Sequence, residues 1–182
     1  MSASRALIIL LLAWLALLAT ATLRSLLPRA LSVWMPMPEL AFVVVLYIGL
    51  SARGHLGVAC ALAVTIGWLA DLFVGAPKGL HMAAYGLTAL VAAGASSRIF
   101  VSGAVLTTVV SFLFALGHGL AVVLIRASLS PRVGVGGWRL ILPFALATAI
   151  TAPLVFSLLR AVDRRFSRDP RLLGGAPRRG WS

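Results

Sequence analysis

Acidic residues are scarce. Asp and Glu together number four, against sixteen Lys and Arg in 182 residues, and only 11% of the chain is charged. A soluble domain usually carries about 25% charged residues. A chain this short also has too little interior to hide the 61% of its residues that are hydrophobic. These shortages exclude a water-soluble fold and make the bilayer the solvent for most of the chain. Cysteine is limited to Cys60, inside an apolar run, so there is no internal disulfide and no thiol metal site. Histidine is limited to His55, His81 and His118, in three separate places with no second ligand at helical spacing. A metal site needs three or four converging ligands, so none is expected. The chain has no Gly-rich phosphate loop followed by Lys and Ser/Thr, no G-x-S-x-G elbow, and a single acid, Asp71, well inside an apolar span. We therefore expect no catalytic residues, no cofactor and no enzymatic activity.

What is present is long apolar segments. A membrane-crossing helix needs about 20 mostly apolar residues. Candidate spans run from Ala6 to Leu23, Met37 to Ala52, Leu56 to Val74, Leu80 to Ser97, Ile99 to Ile125 and Trp138 to Leu159. The fold class predicted is all-α: one compact bundle of six transmembrane helices over residues 1–163, then a basic, disordered cytoplasmic tail over 164–182. The first span also resembles a signal peptide, with Ala19, Thr20 and Ala21 as a small-residue cleavage site. Its apolar run is longer than a signal core of about 7–15 residues, and five spans follow, so it is read as uncleaved. Met37 to Ala52 is short for a span, at about 24 Å of helix against a hydrocarbon core of about 30 Å. It either sits behind other helices or thins the bilayer.

The net charge of +12 is uneven, with seven of the sixteen basic residues between Arg160 and Ser182. In this setting they point to anionic lipid headgroups, at roughly 1 kcal/mol each near the surface, and not to nucleic acid. Six spans place both ends of the chain on one side. That side collects ten basic residues and the other six, so the positive-inside rule puts both termini in the cytoplasm. Trp34 and Trp138 fall where an outer aromatic belt would lie. Leu27, Leu31, Trp34 and Met35 share one helical face before the second span, as a connector resting on lipid or a docking surface for another membrane protein.

Few polar residues lie inside the spans. Glu39 follows Pro38 at the start of the second span and reads as a helix-start charge. Asp71 is costly in a membrane, by about 2.5–3.5 kcal/mol near a helix centre and less near an end. It precedes a tight turn through Gly75, Pro77, Lys78 and Gly79. It is expected to tie that turn down, by a salt bridge to Lys78 or by bonds to backbone amides, or to serve a partner. His118, between Gly117 and Gly119, is a possible intramembrane polar site. Small residues recur at helical spacing: Ala89, Ala93 and Ser97; Ala115 and Gly119; Gly117 and Ala121; Ala145, Ala149 and Pro153. They predict close helix packing.

The pieces Pro38-Glu39-Leu40, Val45-Leu46-Tyr47-Ile48-Gly49-Leu50, Gly67-Trp68-Leu69-Ala70-Asp71-Leu72-Phe73, Pro77-Lys78-Gly79-Leu80-His81 and Tyr85-Gly86-Leu87 resemble the MreD family of bacterial rod shape-determining membrane proteins. The features shared are a Pro before a short apolar span with a Tyr, a Gly-x-x-x-Asp helix end and a Gly-containing turn into the next helix. The arginine-rich tail and Lys78 depart from the pattern. The resemblance implies an inner-membrane component of the cell-elongation machinery. Its expected partners are the bitopic protein MreC, the peptidoglycan synthase pair of RodA and a class B penicillin-binding protein, and MreB indirectly. It also implies a fold like the substrate-binding subunits of energy-coupling-factor vitamin transporters. The alternative from another class is such a transporter subunit itself, whose pocket would draw on Asp71, His81, Tyr85 and His118.

Overall fold

The computed structural model describes residues 3–26, 37–52, 55–74, 77–96, 98, 103–129 and 138–167. Among these residues are six helices: α1 (Ala3–Leu26), α2 (Leu40–Ser51), α3 (Leu56–Val74), α4 (Leu80–Ala95), α5 (Ala104–Leu129) and α6 (Trp138–Ser167). Four of them, α1, α3, α5 and α6, are long and apolar enough to cross a membrane. The other two correspond to the second and fourth spans expected from sequence, and they are shorter. With 12 residues, α2 is only about 18 Å long.

Its surroundings explain how so short an apolar helix is accommodated. Ala41 to Gly49 are buried without a break, and α2 touches every other helix. A helix that is apolar on all sides is stable only when enclosed. Here the enclosing material is protein. The remaining helices follow one another around α2 in the order α1, α3, α4, α5, α6. The extensive contacts in that ring are α3 with α4 and α5 with α6. The ring closes where Arg5 on α1 forms a two-pronged bond to Asp163 on α6, with Nε and Nη2 at 2.8 and 2.7 Å from the carboxylate oxygens. Tyr47, near the end of α2, donates its hydroxyl to the same carboxylate. The start of α1 and the ends of α2 and α6 thus lie at one end of the bundle. Glu39, the end of α3 and the start of α4 lie at the other.

Small residues set the closest approaches. At Gly49 a Cβ would stand 2.7 Å from the Cβ of Ala92 and 3.0 Å from the carbonyl oxygen of Ala89, so α2 and α4 pack backbone to backbone. Ala115, Ala145 and Ala149 are buried, and Gly119 lies against Ile141 of α6. Gly117 faces outward into open space, so the Gly117–Ala121 pair is not an internal contact at its first member. Most boundaries differ from the sequence reading by a few residues, and two of the larger differences fall at α5 and α6. Helix α5 begins at Ala104, five residues later than expected, after Gly103 at φ 81°. Helix α6 continues to Ser167, so the first four residues assigned to the tail extend it.

Lipid supplies no hydrophobic drive between helices, so packing fit matters more than in a soluble core. Gly49→Ala is expected to destabilise the bundle by about 1–3 kcal/mol through overpacking. Gly57→Ala, on an exposed turn of α3 with nothing near the added methyl, should instead stabilise by about 0.5–1 kcal/mol. Thermal unfolding of the two purified variants in one detergent reads the opposite signs.

Candidate functional site

Asp71 sits in the last turn of α3, buried. Its carboxylate receives the backbone N–H of Gly79 at 2.8 Å, of His81 at 2.9 Å and of Met82 at 3.4 Å. The ring Nδ1 of His81 lies 2.8 Å from Asp71 Oδ1, and a carboxylate can only accept, so Nδ1 donates. The first amides of a helix have no partner within it, and its N-terminus carries partial positive charge. Asp71 is therefore the N-terminal cap of α4, supplied by the preceding helix. Between these two expected roles, salt bridge and amide bonds, the geometry selects amide bonds. Lys78 is exposed, and no ion pair joins it to Asp71 among the described residues.

Gly67 makes this reach possible. It lies one turn before Asp71 on the same face of α3. A Cβ there would stand 2.6 Å from both the His81 carbonyl oxygen and the Met82 Cα. Any larger residue would push the start of α4 away from α3 and out of range of the carboxylate. The Gly-x-x-x-Asp pattern is thus one device: the glycine admits the helix end and the aspartate binds it. Gly79 completes the turn at φ 94°, a conformation that favours glycine. The exposed Pro77 accepts the N–H of Leu80 through its carbonyl at 3.1 Å. Gly75 and the proposed docking face of Leu27, Leu31, Trp34 and Met35 lie outside the described residues.

A second polar group is built directly behind this turn. Glu39 does start α2, as the sequence suggests, but its side chain makes no capping bond. It turns into the bundle and accepts the hydroxyl hydrogen of the buried Tyr85. Its other oxygen lies 3.6 Å from Nε2 of His118, a side chain only 1% exposed. The His118 ring packs between Phe42 and Tyr85, at centroid distances of 4.7 and 5.3 Å, and its Nδ1 lies 3.4 Å from Thr88 Oγ1. The Glu39 amide donates to Thr148 of α6 at 3.3 Å. His81 and Tyr85 meet edge to face, so the Asp71 and Glu39 groups form one continuous assembly drawn from α2 to α6. Of the four polar residues that sequence singled out inside the bundle, the structure brings all four together. It adds Glu39, Thr88 and Thr148. Two buried polar atoms in the described residues lack a hydrogen-bond partner, His118 Nε2 and Ser111 Oγ, two turns apart along α5.

Sequence reading missed the inward role of Glu39 and the whole of the Arg5–Tyr47–Asp163 clasp. The clasp left a faint signal, a basic residue opening the first span and an acidic one closing the last. The role of Glu39 left none, because an acid at a helix start is ordinary. Among the described residues, no group of three or more His, Cys, Asp or Glu is placed to hold a metal.

Fold and site together define a polytopic α-helical membrane protein whose buried polar groups bind its own helices to one another. The family model described as rod shape-determining protein MreD matches residues 5–162, which reaches from the first described helix into the last, and the chain belongs to the MreD family. No curated protein and no solved structure matches the chain. Membership makes it a bacterial membrane protein with a role in rod shape determination.

If Asp71 caps α4, its removal strands buried amides at about 1–3 kcal/mol each. Asp71→Ala is expected to cost about 3 kcal/mol or more in stability. Asp71→Asn should cost less, since its carbonyl oxygen still accepts, and Lys78→Ala should stay within about 0.5 kcal/mol of wild type. Thermal unfolding in detergent orders the three.

Proposed function

We propose that this protein is a non-enzymatic membrane scaffold of the cell-elongation complex. It binds an MreC-like bitopic protein and through it supports the peptidoglycan synthase pair of RodA and a class B penicillin-binding protein, with MreB engaged indirectly. It lies in the inner membrane with both ends of the chain cytoplasmic. The observation that carries the reading is the family match over residues 5–162. The use of the buried polar groups is consistent with it. Asp71, His81, Tyr85, Glu39 and His118 engage one another and the backbone, as suits a rigid body that presents a shaped surface. The transporter-subunit reading, with its energy-coupling-factor fold, would call on these same side chains to grip a ligand. In this structure they grip each other, which favours the scaffold.

The orientation draws support from the distribution of charge. The end of the bundle that holds Arg5 and Asp163 also carries Arg98, Arg164 and Arg165, all exposed. Basic residues collect on the cytoplasmic side.

The test is purification of the tagged chain from its native membranes in mild detergent, followed by mass spectrometry of what accompanies it. Recovery of an MreC-like protein or of the synthase pair is expected. Recovery of a paired ATPase module and a transmembrane coupling subunit would overturn the scaffold in favour of transport.

A further inference from the structure

We propose that Glu39 and His118 hold one shared proton, and that this proton joins α2 to α5 near the end of the bundle where Asp71 caps α4. The deduction is an accounting of hydrogens. The Thr88 hydroxyl has one hydrogen, and it goes to the Ala84 carbonyl at 2.8 Å. Toward His118 Nδ1, at 3.4 Å, Thr88 Oγ1 can then only accept, so Nδ1 carries a hydrogen. The Tyr85 hydroxyl also has one hydrogen, and it goes to Glu39 Oε1. Among the described residues nothing else supplies a hydrogen to the remaining pair, His118 Nε2 and Glu39 Oε2, which face each other at 3.6 Å.

With His118 neutral and Glu39 ionised, the gap would hold two lone pairs and a negative charge beside a His118 side chain that is only 1% exposed. A buried acceptor facing an acceptor is strongly unfavourable. One proton relieves it. It resides on Nε2, giving an imidazolium beside a carboxylate, or on Oε2, giving a carboxylic acid that donates to Nε2. Other titratable groups face this pair from the helices packed on it: Tyr85 and His81 from α4, and Asp71 from α3 behind His81. From α6 the facing polar group is Thr148, which does not titrate. Asp71 already takes the Nδ1 hydrogen of His81, so neither replaces the missing proton.

The link matters because α2 and α5 touch little elsewhere. Removing the proton by alkalinisation leaves the two acceptors face to face and weakens that end of the bundle. The site is thus a proton-binding site in a bundle whose other polar junctions, at Asp71 and at Asp163, are already supplied with donors. It does not depend on which partner the protein binds.

The test uses the full chain in lipid bilayers. Nitrogen NMR of histidine-labelled protein reads the ring of His118 directly, with His118→Gln to assign its signal. The expected spectrum at neutral pH shows Nδ1 protonated and Nε2 either protonated or accepting a strong hydrogen bond. In Glu39→Gln the side-chain amide donates to Nε2 without any added proton, and the Nε2 signal alone should shift. The same variant separates the energetics. The Tm of wild type should fall relative to Glu39→Gln as pH is raised from mildly acidic to alkaline, with the Asp71–His81 contribution common to both. A neutral His118 with its hydrogen on Nε2 would overturn the proposal. So would a Tm difference that stays constant across pH.

Discussion

Everything in this bundle is arranged around the need to enclose α2. A twelve-residue apolar helix is too short to reach across a bilayer and too greasy to lie in water. Protein on every side removes both difficulties. Gly49 lets α4 come within backbone contact of it, Tyr47 anchors its end to α6, and Glu39 anchors its beginning to α4 and α5. The long helices then face lipid with their outer surfaces, where Leu7, Leu11, Trp14 and Leu15 of α1 are exposed along one stripe. In lipid such a stripe is the ordinary state of a helix and not a defect.

Charge is scarce in the interior, and each buried charge has a structural task. Asp71 closes the helix start that Gly67 brings near. Asp163 gathers an arginine and a tyrosine from two other helices. A single buried ion would be very costly in this environment. Asp71 and Asp163 each receive several donors, the condition under which burial becomes tolerable. These polar junctions sit toward the two ends of the bundle, while the stretch of α2 between Glu39 and Tyr47 is packed by apolar side chains.

Much of this was legible in the sequence. Hydropathy marks the helices because backbone groups in lipid must be satisfied internally, and helices do that locally. The Asp71 turn was legible because Pro77 and its neighbouring glycines punctuate it. Helix α3 has the expected bounds, Leu56 to Val74, and of the two ways a helix as short as α2 can be accommodated, shelter behind other helices is the one found. The convergence of Glu39, Tyr85 and His118 was not legible. Those residues are 46 and 33 positions apart in the chain, and their meeting follows from how three helices are rotated about their axes. Rotation depends on interlocking shapes such as Gly49 with Ala89 and Ala92, and apolar composition carries little record of it. The late start of α5 hangs on a backbone angle at Gly103 that no residue pattern required.

The clasp between Arg5 and Asp163 spans 158 positions of sequence. Asp71, by contrast, binds amides eight to eleven positions away. A chain made from its beginning therefore completes the α3–α4 hairpin soon after those helices emerge, while Arg5 waits without Asp163 until α6 has been made. Ring closure comes after every other contact among the described helices. A chain that stops short of α6 leaves Arg5 and Tyr47 without Asp163 and one flank of α2 uncovered.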